Sequence, residues 1–389
     1  MPRDMKKISI MYLRSGVRDA DVLLGADTVV LGIARGLDRE RFNPVIVYLT
    51  DTEKQKTPIL AEAAKYKIEN ERVCLKFKFD IIRAFLQIKN LIKKHDIDIL
   101  HCQEYKSNLV GFLVVVFMKK KVITTVHGWV GCDWKVKLYE FIDSWVIRSF
   151  AKIIAVSKVM SEVLKEKKIS DKKVEVINNG IDSEAWAPER EKAIIADLKS
   201  QLKIADDFAV VGTVGRLSIE KGQDIFIRAA SEVFQENPRV HFIIVGDGPY
   251  LEKFKKLAHE LLMAKHITFL GFKKNISEYL KMMDVFVLPS RKETFGLALL
   301  EAFYMKKPVV CTPVGIASEM VINGNNAILS EIGDIKSMSG AIISLLNDKE
   351  FASELGKKAY IKAKDCFSLK NMAESYSRLY CRLMETEDV

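Results

Sequence analysis

Residues Val285–Thr312 read VFVLPSRKETFGLALLEAFYMKKPVVCT. A short apolar run, VFVL, is followed by a polar loop carrying Glu293, a helix-forming stretch that opens near Phe295-Gly296, and a second apolar run, PVVC. Apolar runs of strand length on either side of a helical stretch make a β-α-β unit, the building block of a parallel sheet. The free N–H groups of such a helix's first turn point out of the C-terminal edge of the sheet, where they can hold an anion. A diphosphate is the expected one. Glu293 in the loop and Glu301 inside the helix are eight positions apart, which at about 1.5 Å per residue sets them roughly 10–12 Å apart. A glycosidase pair of the retaining kind needs about 5–5.5 Å, so these carboxylates suit opposite ends of one long ligand. Two solvated acids on a helix would look the same in isolation; the neighbouring motifs favour the ligand.

A chain of 389 residues, 49% of them hydrophobic, has material for two cores and argues for two domains. The longest uninterrupted apolar run, Gly111 to Met118, falls far short of the roughly 20 residues a bilayer span needs. The opening MPRDMKKISIMYLRSG has only a strand-length apolar run and no small-residue cleavage site, so a signal peptide is not expected and a cytoplasmic location is. Six scattered cysteines without a C-x-x-C pair suggest reduced, buried thiols. His101, Cys102, His127 and Cys132 fit no zinc spacing, and no metal site is expected. The net charge of +10 is uneven: residues 1–190 hold 34 Lys and Arg against 25 Asp and Glu, the remainder 27 against 26. The basic first half favours an anionic partner or serves plain solubility.

From the N-terminus, apolar strands are expected at Lys7–Leu13, Pro44–Leu49, Ile97–Cys102, Lys121–Val126, Lys152–Val156 and Val174–Ile177, with helices between them. The alternation means a doubly wound parallel sheet. A glycine, Gly25, opens the first helix, which reaches Leu37. Phe77–Lys94 mixes Ile81, Ile82, Phe85, Ile88 and Ile92 with Arg83, Lys89, Lys93 and Lys94. That pattern suits a helix packed on the sheet with a solvated basic face, or one lying on an anionic membrane. His127 stands at a strand end, where it can meet a substrate oxygen or simply be a satisfied core residue. Asn179-Gly180 reads as a tight turn, and the polar, Pro188-containing segment to about Asp207 as the interdomain linker.

The second half restarts the alternation. The strand Ala209–Val214 ends in Gly215-Arg216-Leu217, and Glu220-Lys221-Gly222 leads into a helix, so that Arg216 and Lys221 flank one turn and can converge on one anion. Gly246-Asp247-Gly248-Pro249 follows the next strand, and Gly271-Phe272 the one after, an edge suited to a flat base. Three helices, about Ile335–Asn347, Lys349–Asp365 and Leu369–Met384, close the chain.

With these motifs in order, the chain resembles the retaining glycosyltransferases of family four, the group 1 glycosyl transferases with a GT-B fold. The resemblance rests on Val214 to Leu217, Glu220-Lys221-Gly222, Val245 to Pro249, Gly271-Phe272 and Glu293-Thr294-Phe295-Gly296-Leu297 through Glu301, extended by Asn179 to Asp182 and Val126-His127-Gly128. It implies two Rossmann-like domains facing an interdomain cleft: an acceptor-side domain over 1–190, a donor domain over 205–370, and a last helix, 371–389, packing back on the first domain. It also implies a nucleotide-sugar donor, UDP- or GDP-linked, used as a substrate with no cofactor; the motifs hold no cluster of acidic ligands for a diphosphate-bridging ion, so no metal is expected. Arg216 and Lys221 would hold the diphosphate, Glu301 the ribose, and Glu293 the transferred sugar. Thr294 and the amides of Phe295, Gly296 and Leu297 join the donor site with Gly215, Gly246, Gly271 and Phe272, while His127 lies near the sugar and Gly25 faces the diphosphate. Two fixed cations and a helix N-terminus stabilise a departing diphosphate, and domain closure would exclude water.

The expected activity is hexosyl transfer, with retention, to a glycan or lipid-linked acceptor in cell-surface polysaccharide or lipopolysaccharide synthesis. The expected setting is the cytoplasm, with peripheral attachment to the inner face of an anionic membrane through the basic first domain as an option. A sugar-nucleotide epimerase or a phosphorylase on the same fold, and a non-catalytic nucleotide-sugar or nucleic-acid binder, are the alternatives. Nucleic acid is not the expected partner, because the excess charge lies away from the leaving-group residues; an NAD-dependent dehydrogenase is less favoured still, because the first strand-to-helix turn lacks the dinucleotide G-x-G-x-x-G. Lys306, where a glycine commonly ends the helix after Glu301, would occupy a left-handed cap.

Overall fold

The computed structural model describes residues 6–16, 23, 25–77, 80–129, 134–182, 186 and 192–385. They form two compact units, Met1–Ile181 with Leu369–Val389, and Asp182–Ser368. The first unit carries strands β1 (Ile8–Ser15), β2 (Phe42–Thr50), β3 (Glu69–Cys74), β4 (Ile99–Cys102), β5 (Lys121–Val126), β6 (Lys152–Ala155) and β7 (Val174–Val176). Between them run helices α1 (Gly25–Gly36), α2 (Pro58–Lys65), α3 (Ile81–Lys94), α4 (Tyr105–Met118), α5 (Trp134–Val146) and α6 (Lys158–Glu166). All pairings are parallel, in the order β3-β2-β1-β4-β5-β6-β7. Both faces are covered, so β1 is buried from Ser9 to Ser15 and reads as one apolar run rather than an alternation.

On one face α3, α4 and α6 send Phe85, Ile88, Val110, Val114 and Leu164 into a core with Leu13, Val47 and Leu100. On the other, α1 meets the chain's last helix at Gly36, where a Cβ would stand 2.5 Å from that of Ala373. Here Tyr12 and Tyr380 share a 3.0 Å hydrogen bond. His101 bonds Tyr380 at 2.9 Å through Nδ1 and Thr125 at 2.8 Å through Nε2, and Thr125 bonds Tyr376 at 3.0 Å. Burial above all, with His127 nearby as a second site that would repel a shared positive charge, lowers the His101 pKa to about 3, so this is a neutral, satisfied buried network.

The second unit contains α7 (Lys192–Gln201), β8 (Ala209–Val214), α8 (Gln223–Glu236), β9 (Val240–Val245), α9 (Leu251–Glu260), β10 (Ile267–Gly271), α10 (Ile276–Met282) and β11 (Val285–Leu288). It continues with α11 (Leu297–Tyr304), β12 (Val309–Cys311), α12 (Ala317–Met320), β13 (Ile328–Leu329), α13 (Ile335–Asn347) and α14 (Lys349–Cys366); α15 (Leu369–Glu385) belongs to the first unit. The parallel order is β10-β9-β8-β11-β12-β13. Strand order reverses between β8 and β11, and the crevice at such a reversal, outside the strands' C-terminal ends, is where doubly wound sheets bind ligands. Among the described residues no helix is long and apolar enough to cross a membrane.

Several expectations change. The Pro188 segment lies largely outside the described residues, but the expected linker after it holds α7, fixed to the second unit by Lys199 Nζ donating to the carbonyls of Asp206 and Phe208. No turn forms at Asn179-Gly180; the Gly180 amide donates to Met372 Sδ instead. Strand β3, ENERVC, was not expected, because an edge strand bonded on one side keeps polar side chains. Helix α3 starts at Ile81 because Asp80 accepts the Arg83 amide as N-cap, and Ile82 faces outward. Of the cysteines, Cys102 and Cys311 are buried but Cys366 is exposed, and Cys132 lies outside the described residues. Lys306 does take the left-handed position, at φ 52°. Its amide donates to Phe303 and that of Lys307 to Ala302, the paired bonds of a glycine-type helix stop.

Candidate active site

In the second unit three strand ends are pressed together. The Gly215 amide donates to Val245 at 3.0 Å and the Gly246 amide to Gly271 at 2.9 Å. Gly246 holds φ +137°, and a Cβ there would lie 1.9 Å from the Gly215 carbonyl oxygen, so only glycine lets these turns abut. Phe272, next along, leaves a half-exposed ring at the end of β10. Leu217 is buried, with its amide on Asp247, and anchors the turn that presents Arg216 to solvent. The Arg216 carbonyl accepts from Gln223 Nε2 at 2.9 Å, while its guanidinium has no partner among the described residues.

Lys221 ends a single 3-10 turn before α8, and its ammonium lies 2.7 Å from both carboxylate oxygens of Glu293. Glu293 is 8% exposed and also accepts from Ser290 Oγ at 3.0 Å. Lys221 follows β8 and Glu293 follows β11, so this ion pair sits at the reversal of strand order. Arg291 clamps the two loops: its guanidinium bonds both oxygens of Asp224 at 2.7 and 2.6 Å and the Ile219 carbonyl at 2.9 Å, and its amide bonds the Glu220 carbonyl. Lys221 was expected as a cation waiting for diphosphate. It is already neutralised, because a carboxylate as buried as Glu293 requires a counter-charge.

Helix α11 begins at Leu297 after Gly296, whose φ of +102° suits glycine and above which a Cβ would meet nothing within 4 Å. The space over the helix start is open. The Phe295 ring is core, against Phe367 at 6.1 Å, and its carbonyl takes the Ile316 amide, so Phe295 can offer a ligand backbone only. Thr294 and Leu297 are half-buried beside it. One turn into α11, Glu301 is half-buried with no hydrogen-bond donor among the described residues, and burial raises its pKa to about 7. A desolvated carboxylate without donors is a costly thing to keep, and is suited to ligand hydroxyls. The second unit also has a hollow of about 580 Å³ between Asp284, Lys306 and Lys349. It lies by the starts of β8 and β11, at the edge away from this chemistry.

In the first unit His127, at the end of β5, shares a 2.9 Å hydrogen bond with Gln103, at the end of β4. Burial, and then the charge of Arg14, lowers its pKa to about 3, so it is a neutral imidazole. Trp129 is held two residues on by Asp143, which accepts from Trp129 Nε1 at 3.1 Å and from Asn108 Nδ2 at 2.7 Å. Gly25 is the exposed first residue of α1, and Asp27 behind it takes a 2.8 Å bond from the buried Arg14.

Residues 195–362 match the family described as Glycosyl transferases group 1, and residues 24–185 match Glycosyltransferase Family 4, so that together they span most of the chain. The chain belongs to this glycosyltransferase family. The glycosyltransferase is 28% identical over 309 residues to UDP-Gal:alpha-D-GlcNAc-diphosphoundecaprenol alpha-1,3-galactosyltransferase of Escherichia coli, covering 77% of this chain and 79% of that protein. It is 25% identical over 308 residues to N-acetyl-alpha-D-glucosaminyl L-malate synthase of Bacillus anthracis, with 76% and 77% covered. Its fold is that of Anabaena Alr3699/HepE, solved in complex with UDP-glucose, at a TM-score of 0.83 and 21% identity over 96% of this chain and all of the other. Sucrose-phosphate synthase from Thermosynechococcus elongatus gives 0.80 at 19%, over 97% and 100%. The fold is therefore GT-B, two Rossmann-like domains.

Within the second unit the expected residues divide clearly. Lys221 and Glu293 are bonded, Gly215, Gly246 and Gly271 share adjoining turns, and Arg216 and Glu301 are left without side-chain partners among the described residues. Gln223, Ser290, Arg291 and Asp224, which fix these groups, were not expected. Gln223 and Asp224 do follow Gly222 at a helix start, and Arg291 stands two positions before Glu293. Nothing in those positions alone signals a clamp between loops 67 residues apart.

Proposed function

We propose that the chain is a retaining glycosyltransferase that moves a hexose from a UDP- or GDP-linked donor to a glycan or lipid-linked acceptor, in cell-surface polysaccharide or lipopolysaccharide synthesis. The observation that carries the donor reading is the Lys221–Glu293 pair at the strand-order reversal, with the unpartnered Arg216 and the open start of α11 beside it. In this reading the diphosphate takes Arg216 and the first amides of α11, and shares Lys221 with Glu293. One ammonium then bridges the carboxylate that meets the sugar and the phosphate that leaves it. Charge that develops on the departing diphosphate meets cations already in place, so little reorganisation is needed. Glu301 takes the ribose hydroxyls and the Phe272 ring lies at the base. Neutral His127 can hydrogen-bond a sugar hydroxyl without adding charge.

We propose that no metal and no cofactor take part; among the described residues no three His, Cys, Asp or Glu side chains gather to hold an ion. Several relatives support a lipid-linked acceptor by their names, the diphosphoundecaprenol galactosyltransferase above and the alpha-monoglucosyldiacylglycerol synthase of Streptococcus pneumoniae among them. A cytoplasmic placement with peripheral attachment would suit such acceptors. The test is a thermal-shift panel of nucleotides and nucleotide-sugars, followed by transfer assays in excess chelator with the anomer assigned by NMR. Melting should rise with one base only, and transfer should persist in chelator. Activity strictly dependent on Mg or Mn, an inverted product, or turnover of the donor without any acceptor would each overturn part of this reading.

A further inference from the structure

Solvent-facing sides of helices on a doubly wound sheet are ordinarily polar. In the first unit three neighbouring helices break that rule. On α3, Ile82 and Leu86 stand one turn apart and exposed, Ile82 by 72%. On α4, the stretch from Leu109 to Met118, LVGFLVVVFM, is apolar round its whole circumference, and Phe112, Val116 and Phe117 face out. On α5, Leu138, Phe141 and Trp145 recur at helical spacing and are exposed, Trp145 by 60%.

The three patches adjoin. Phe117 rests its ring on Phe85 of α3 at 5.7 Å and still exposes 69% of itself, closing the seam between α3 and α4. Helices α4 and α5 meet through the parallel stack of Tyr105 on Tyr139 at 5.5 Å. Phe141 and Trp145 touch edge to face at 6.5 Å. An apolar face this extended, with nothing over it among the described residues, calls for a partner.

The charge around it selects which. Helix α3 has four basic residues, Arg83, Lys89, Lys93 and Lys94, and no acidic one. Lys119 and Lys120 follow α4 directly, Lys137 lies on α5, and the Arg148 guanidinium stacks over Trp145 at 4.7 Å. Residues 76–152 hold 14 Lys and Arg against 7 Asp and Glu. Aromatic side chains set among long cationic ones are what the headgroup region of an anionic bilayer accommodates, rings at the acyl boundary and cations among phosphates. A second copy of the chain would bring the same cationic rim against itself.

We infer that the outer face of α3, α4 and α5 is a docking surface for an anionic phospholipid bilayer, inserting Phe117, Phe141 and Trp145 and placing Lys89 and Lys93 of α3 on phosphate. The surface goes beyond the donor chemistry and does not depend on it. It would hold the enzyme where a lipid-linked acceptor is concentrated.

The test is cosedimentation of the full chain with vesicles of phosphatidylglycerol and phosphatidylcholine, and of phosphatidylcholine alone. Binding should need the anionic lipid and weaken with salt. The triple variant Phe117→Ser, Phe141→Ser, Trp145→Ser should bind at least about tenfold more weakly, while its nucleotide-induced thermal shift stays that of the wild type. Lys89→Glu with Lys93→Glu, which removes no apolar group, should also weaken anionic binding, and it decides the matter if the triple variant fails to fold. The inference falls if wild-type protein ignores anionic vesicles, if folded variants bind undiminished, or if the chain is a dimer without lipid that the triple variant splits. A wild type that binds vesicles but responds to no nucleotide would count against the donor reading and leave this surface standing.

Discussion

Glu301 offers the sharpest handle on the proposed donor site. Its carboxyl has no donor among the described residues and a pKa near 7 in the folded chain, against an ordinary 4.5. The difference corresponds to a cost on the order of 3 kcal/mol for holding the ionised group in place at high pH. Because the folded pKa is raised, the stabilisation from this group is full below pH 4.5 and is lost as pH rises through about 7. Ligand hydroxyls that donate to the carboxylate reverse the preference. A nucleotide-sugar should therefore bind the ionised form, and its affinity should fall about tenfold from pH 8, where roughly nine-tenths is ionised, to pH 6, where roughly one-tenth is. The nucleotide-sugar is the right probe because its diphosphate is esterified at both ends and does not titrate there. Calorimetry at pH 6, 7 and 8 should give this slope in the wild type and a flat line in Glu301→Gln. The same variant, without ligand at pH 8, should melt a few degrees higher than wild type. Equal pH slopes in the two proteins, or a lower melting point in the variant, would refute the assignment of Glu301 as a strained group waiting for hydroxyls.

Lys221→Ala strands Glu293 at 8% exposure, and should cost about 2–3 kcal/mol, less than a fully buried pair because the lysine keeps 29% of its side chain in solvent; adding Glu293→Gln should restore most of that in denaturant titrations without restoring transfer. Gly246→Ala, with its Cβ 1.9 Å from the Gly215 carbonyl, should lower the melting point sharply and abolish the nucleotide response, whereas Gly271→Ala, at φ +67° in open space, should cost only about 1 kcal/mol. His127 should show no imidazole titration by NMR above pH 5, because its folded pKa lies near 3; its contribution to stability, present above pH 6.5, should drain away as pH falls toward that value.

The pattern of legible and illegible features follows from what each residue touches. The run Ala209–Val214, AVVGTV, announces a buried parallel strand because nearly every position must be apolar, and β8 and β5 fall where the sequence puts them. β3 and β13 escape a reading of the sequence because an edge strand bonds on one side and a two-residue strand has no periodicity to show. Gly246 and Gly296 are legible as turns, but not that the first is forced by packing and the second leaves open space.

Charge pairing is the least legible part of the site, and the reason is general. Lys221 and Glu293 are 72 positions apart, and nothing local distinguishes a lysine that will meet a carboxylate from one that will meet a phosphate. Both need the same strand end and the same helix start. What decides between them is burial: Glu293 at 8% exposure cannot stand ionised alone, so the fold supplies Lys221 in advance and Arg291 holds the two loops at that distance. In the proposed mechanism the diphosphate would therefore share one ammonium with a carboxylate already bonded to it. The cation left without a competitor among the described residues is Arg216, so losing its charge should weaken donor binding without disturbing the fold, the reverse balance to that expected of Lys221.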